Sequence, residues 1–222
     1  MKLKVIAPTM LTVGNLLCGF LSVIHTVEGR PTYAAWWIIL AWLLDGVDGQ
    51  VARMVRSSTR FGAELDSLAD LSSFGLAPAL LLYRYWLRRM GLLGGCVAFL
   101  FFACGAFRLA RFNARHDATK KRSFSGLPIP AAAWVLASYV LFPEGGGRWF
   151  ALGLVAVVAG LMIAPLEYDA LYFPLDRIWD RIKVGLFLTG VALILFFHTY
   201  ALFPLSLVYL ASGPVRRIVL LF

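Results

Sequence analysis

The sequence predicts an all-α, polytopic bundle of transmembrane helices, about eight spans arranged as a six-helix core plus a C-terminal pair. Three observations carry this expectation. Of 222 residues, 60% are apolar and 15% charged, against about 45–50% and about a quarter in soluble domains. Mean hydropathy is +0.78. The apolar residues also fall in long runs, and about 20 apolar residues in a helix cross a bilayer. Too little polar surface is left to wet a globule of this size. A soluble enzyme, a disordered tail, a disulfide scaffold and a collagen-like fibre are therefore excluded. A single integral-membrane domain over residues 1–222 is expected.

The expected spans are 8–27, 33–53, 65–86, 92–111, 128–142, 149–166, 184–197 and 200–212. The first follows Met1-Lys2-Leu3-Lys4, a start like that of a signal peptide. No small-x-small cleavage site closes its apolar run and Asn15 interrupts it, so it reads as a retained helix. Gly29-Arg30-Pro31 separates the first two spans, and Gly126-Leu127-Pro128 precedes the fifth. Pro143 with Gly145-Gly146-Gly147 precedes the sixth, and all three stretches are helix breakers. The last four spans are short, which suits tilted or re-entrant segments.

Lys and Arg total 21 against 12 Asp and Glu, a net charge of +9. On a chain this apolar, the excess suits anionic headgroups and phosphorylated substrates, and nucleic acid is not expected as a partner. With the N-terminus placed in the cytoplasm, only Arg30, Arg84, Arg88, Arg89 and Arg148 fall outside. This positive-inside bias puts both termini and the connector after the second span in the cytoplasm. Trp36, Trp37, Trp86, Trp149 and Tyr200 lie near span ends, where interfacial aromatics concentrate. Cys18, Cys96 and Cys104 sit in apolar runs without metal-ligand spacing and read as small hydrophobes. His25, His116 and His198 fit no ligand or triad spacing.

The chemistry concentrates in one place. Five of the twelve acids lie between residues 45 and 70: Asp45, Asp48, Glu64, Asp66 and Asp70. Ionisable groups inside membranes are costly and point to function. Asp45 and Asp48 are three apart and Asp66 and Asp70 four apart, so on helices each pair shares a face. A short hairpin between the second and third spans would bring all four together. Four close carboxylates need a counter-charge to stay ionised. An all-oxygen donor set suits Mg²⁺ or Mn²⁺, with Ca²⁺ a structural substitute. Two acidic pairs can hold two ions, the arrangement that clamps phosphoryl oxygens. Salt bridges to Arg53, Arg56 and Arg60, or a cation pathway, are the alternatives that charge alone leaves open.

The residues between the acids narrow the choice. Asp45-Gly-Val-Asp48-Gly49-Gln-Val-Ala52-Arg53, then eight residues, then Gly62-Ala-Glu-Leu-Asp66-Ser-Leu-Ala-Asp70 resembles the signature of the CDP-alcohol phosphotransferase family at every defined position. That resemblance implies transfer of a substituted phosphoryl group from a CDP-linked donor to an alcohol, with release of CMP. Asp45, Asp48, Asp66 and Asp70 would be the metal ligands, Asp70 also the catalytic acceptor of the alcohol proton. Gly49, Ala52 and Gly62 would leave room for the nucleotide, and Arg53 would reach diphosphate oxygens with its planar fork.

Three further stretches resemble the serine-accepting branch of that family, the phosphatidylserine synthases. They are 8–20, with Thr12 and Asn15; Arg108-Leu-Ala-Arg111-Phe-Asn113 with Phe124-Ser-Gly126-Leu-Pro128-Ile-Pro130; and Leu210-Ala-Ser212-Gly213-Pro214-Val215. The implied substrates are CDP-diacylglycerol and L-serine, drawn from the inner leaflet of the cell membrane and the cytosol. Thr12 and Asn15 are expected near the donor, though an Asn in an apolar helix also serves helix–helix hydrogen bonding. Arg108, Arg111 and Arg115 would face the serine carboxylate, or else serve as positive-inside anchors. Glycerol 3-phosphate, inositol phosphate or an archaeal CDP-ether lipid are alternative substrates of the same chemistry. A homodimer is the family's usual assembly.

Overall fold

A computed structural model describes residues 3–55, 60–114, 123–142, 146–169 and 201–219. The expected span 184–197 lies outside the described residues, as does Arg115.

Helix α1 runs Leu3–Val27 and α2 runs Pro31–Val55. The turn between them is set by Gly29 at φ 85°. A left-handed residue there lets Arg30 N–H reach the His25 carbonyl (2.9 Å) and Gly29 N–H the Thr26 carbonyl (3.4 Å). This paired closure satisfies carbonyls that a helix end leaves open. Pro31 then opens α2, where its missing N–H costs nothing. The two helices pack antiparallel along their length.

A long, composite helix follows. It comprises α3 (Arg60–Asp70), a π-helical stretch (Leu71–Leu76), α4 (Ala77–Leu82), a second π-helical stretch (Tyr83–Leu87) and a 3₁₀ turn (Arg88–Met90). Helix α5 (Leu92–Ala114) leads back. Helices α6 (Ile129–Leu141) and α7 (Arg148–Ile163) are shorter, and α8 runs Leu202–Val219 with Pro214 inside it. Helix α6 is the hub. Nine of its thirteen residues are buried, among them Ala132, Leu136 and Tyr139, and α2, α7 and α8 pack against it.

Among the described residues the architecture is helical apart from one feature that the sequence did not predict. Strands β1 (Ser123–Ser125) and β2 (Glu167–Asp169) pair antiparallel, with Phe124 opposite Tyr168. Gly126 at φ 87° turns the chain out of β1 while its N–H bonds the Leu166 carbonyl (2.8 Å). On the other side, Pro165 forces Ala164 into an extended conformation and ends α7. The ribbon thus ties the start of α6 to the end of α7.

Among the described residues, three helical segments are long and apolar enough to cross a membrane: Thr9–Val27, Phe61–Met90 and Leu92–Ala114. Ile129–Leu141, Arg148–Ile163 and Leu202–Val215 are apolar but shorter. Helix α2 equals α1 in length, yet it carries Asp45 and Asp48 and is not among the three. The expected count of eight spans is therefore not reached among the described residues. Large apolar side chains cover the outside of α1 (Met10, Leu17, Phe20) and α5 (Phe99, Phe107), as lipid-facing surfaces require.

Candidate active site

Helices α2 and α3 carry the two acidic pairs, and their fold brings three of the four acids into one group, with Asp48 outside it. Asp45, Asp66 and Asp70 each offer a carboxylate oxygen within 4.8 Å of the other two. Asp48 is buried and stands in electrostatic range of Asp45 and Asp66. Oxygens that ligate one cation at about 2.0–2.6 Å lie up to about 4–5 Å apart, so this spacing fits a shared ion. The donor set is all carboxylate, with no sulfur or imidazole, and fits a hard divalent ion.

Helix α1 supports the cluster from one side. Thr12 Oγ1 donates to Asp48 Oδ2 at 2.6 Å, and Asn15 Nδ2 donates to Asp70 Oδ1 at 3.2 Å. Both side chains are buried. Asn15 does make the helix–helix hydrogen bond that membrane asparagines favour, and its partner is the last acid of the signature. Asn15 Oδ1 is buried and has no hydrogen-bond partner among the described residues, so the amide keeps one acceptor free beside Asp70.

The π-helical turn after Asp70 completes this contact. Ser73 Oγ donates to the Asn15 carbonyl at 2.9 Å. A side-chain methyl on Gly19 would meet Ser73 Cα at 2.7 Å, so only glycine permits the approach. A π turn widens the helix and displaces the following register, and such turns recur at functional sites.

Helix α5 supplies the cations. Arg108 is buried and lies in electrostatic range of Asp70. Arg111 stands near Arg108 but directs Nη1 to the Ile163 carbonyl (3.4 Å), at the C-terminus of α7. A cation is favoured there by the helix dipole. Asn113 Nδ2 donates to Ser67 Oγ at 2.9 Å, linking α5 to the residue after Asp66.

The remaining sequence candidates are placed by backbone. Gly49, Ala52 and Arg53 follow Asp48 on the last turns of α2, and the side chains of Ala52 and Arg53 lie outside the described residues. Gly62 is half-buried in the first turn of α3. His25 packs with Tyr33 and Trp37 and pairs with Glu28 at 3.3 Å, toward the opposite end of α1 from Thr12. The sequence reading missed Ser73, which sits in an apolar run without any local signal.

Comparison with known proteins accords with this geometry. The family model described as CDP-alcohol phosphatidyltransferase matches residues 5–165. The chain belongs to that family. It is 36% identical over 167 residues to the CDP-diacylglycerol–serine O-phosphatidyltransferase of Helicobacter pylori, covering 72% of this chain and 70% of the relative. The protein of the same name from Mycobacterium tuberculosis is 38% identical over 157 residues, 67% of this chain and 54% of the relative. An archaetidylserine synthase of Methanothermobacter thermautotrophicus is 37% identical over 165 residues, covering 72% and 68%.

Proposed function

We propose that this protein transfers the phosphatidyl group of CDP-diacylglycerol to the hydroxyl of L-serine, giving phosphatidylserine and CMP. The observation that carries the reading is the convergence of Asp45, Asp66 and Asp70, with Asp48 beside them, on the spacing of the family signature. The names of the relatives support serine as the acceptor: lipids with different tails, phosphatidyl and archaetidyl, share it.

The four aspartates would hold divalent cations, Mg²⁺ or Mn²⁺ and two in number. When bound, such ions neutralise the diphosphate and stabilise CMP as it departs. The chain's own residues do the rest. Asp70, oriented by Asn15, takes the proton of the serine hydroxyl as its oxygen bonds to the phosphorus bearing the diacylglycerol. The bond from that phosphorus to the CMP oxygen breaks in the same displacement, so no phosphatidyl-enzyme forms. Arg108 meets the serine carboxylate with charge-assisted hydrogen bonds. Gly49 and Gly62 leave the helix backbone approachable by the nucleotide, with Arg53 toward its phosphates and Ala52 beside it. Thr12 holds Asp48 in place.

The donor's acyl chains stay in the bilayer, so the site opens sideways to the inner leaflet of the cell membrane and downward to the cytosol. The residues 1–222 act as one membrane domain, assembled as a homodimer. Purified protein in vesicles containing CDP-diacylglycerol should release CMP only when both serine and Mg²⁺ or Mn²⁺ are present. Chelation should abolish release and added metal restore it. Turnover that survives thorough chelation would overturn the metal-assisted mechanism.

A further inference from the structure

Helix α3 carries Asp66 and Asp70, yet little apolar packing holds its first two turns. From Phe61 to Leu68 no residue is buried, and burial begins only at Ala69 and Asp70. Phe61 and Leu68 are 71% and 62% exposed. The rotation of this stretch about its own axis decides where the Asp66 carboxylate points, and it is left to directed bonds. Two side chains from other helices supply such bonds. Asn15 of α1 bonds Asp70. Asn113, in the last turn of α5, bonds Ser67, the residue that follows Asp66.

The second bond has defined donors. Ser67 Oγ donates to the Ala63 carbonyl one turn back at 3.0 Å, which commits its proton. Its oxygen then accepts Asn113 Nδ2 at 2.9 Å, while Asn113 Oδ1 stands further off at 3.4 Å. The amide thus continues a hydrogen-bond chain into the α3 backbone. Successive residues of an α-helix are about 100° apart, so Ser67 and Asp70 project about 60° from each other. A helix held at Asp70 alone can pivot about that point. Held from α1 at Asp70 and from α5 at Ser67, it cannot turn without breaking a bond. Asp66 adjoins Ser67 in the chain, and its carboxylate shares the group in which Asp45, Asp66 and Asp70 lie within 4.8 Å of one another.

We propose that Asn113 is a positioning residue for the metal site: through Ser67 it fixes the rotation of α3 that aims Asp66 at Asp45 and Asp70. This role rests on the reading that these aspartates hold a divalent cation. Asn113 lies outside the acidic signature, and it acts toward the metal rather than toward the acceptor alcohol. Groups behind metal ligands that fix their orientation set metal affinity.

The test is binding of Mn²⁺ alone by the purified full chain in detergent micelles, read from the electron paramagnetic resonance signal of free Mn²⁺. Asn113→Ala should raise the Kd for Mn²⁺ about three- to tenfold, the worth of one hydrogen bond between neutral groups. Its melting temperature should stay within a few degrees of wild type. Ser67→Ala should raise the Kd by the same factor, and the double variant no further, because each change removes the same bond. An unchanged Kd in Asn113→Ala overturns the proposal, and a rise in KM for serine alongside it would assign the amide to the acceptor. A double variant in which the two losses multiply overturns it as well. If Asn113→Ala lowers the melting temperature, Ser67→Ala decides by the Kd alone. Wild-type protein that binds no Mn²⁺ defeats the metal reading, and the positioning role with it. Wild-type binding with an unchanged Kd in the variants defeats the positioning role alone.

Discussion

Two hydrogen bonds from α1 decide how the aspartates are presented. Thr12 donates to Asp48 at 2.6 Å, and a hydrogen bond to a charged group contributes about 1.5–3 kcal/mol. Thr12→Val keeps the shape and removes the donor. It should raise the Mg²⁺ concentration needed for half-maximal CMP release by about 10–100-fold, with the melting temperature within a few degrees of wild type. Asp70→Asn keeps the size of the side chain and loses the proton acceptor. Turnover should fall by at least about 10²-fold, the usual worth of a positioned base, while CDP-diacylglycerol binding, measured by equilibrium retention on the protein, persists. Substantial residual activity would remove Asp70 from the base role. The aspartates themselves were legible because helical spacing dictates which carboxylates share a face. Their supports were only half legible: Asn15 announces itself as a polar residue in an apolar helix, but nothing local says which acid it will meet. That depends on how α1 crosses α3.

Elements were legible where backbone chemistry punctuates them. Gly29-Arg30-Pro31 closes α1 and opens α2 as expected, and Gly126 with Pro128 marks the entry to α6. The π-helical stretches at Leu71–Leu76 and Tyr83–Leu87 left no trace in composition, because they are a response to packing rather than to propensity. The β1–β2 ribbon escaped for a similar reason: three-residue strands have too short a pattern to read. The contact of α1 with the first π turn gives a test at this scale. Gly19→Ala should push Ser73 away, weaken the Ser73–Asn15 hydrogen bond and cost about 1–3 kcal/mol in the manner of an overpacked core. The readouts are a lower melting temperature and a reduced kcat, because Asn15 is displaced along with its partner. Wild-type values for both would show that α1 and the π turn separate freely.

Across the whole molecule, the charge bias and the proposed function together call for one orientation, which labelling can test. The aspartates, Arg108 and the β1–β2 ribbon gather toward one end of the bundle, and the turn at Gly91 lies at the other end of α5. In a background lacking Cys96, a cysteine placed at Ala114 should react with an impermeant maleimide from the cytoplasmic side alone, and one at Leu92 from the outside alone. The reverse pattern would invert the topology and place serine on the wrong side of the membrane. The same ribbon bears on how the protein is made. Helices α6 and α7 have 13 and 16 residues, about 20 and 24 Å of helix, against about 30 Å of hydrocarbon. Neither is long enough to settle in the bilayer by itself. Their shared latch pairs residues 123–125 with 167–169, so it cannot close until residue 169 has been synthesised, and the α6–α7 hairpin is complete only then.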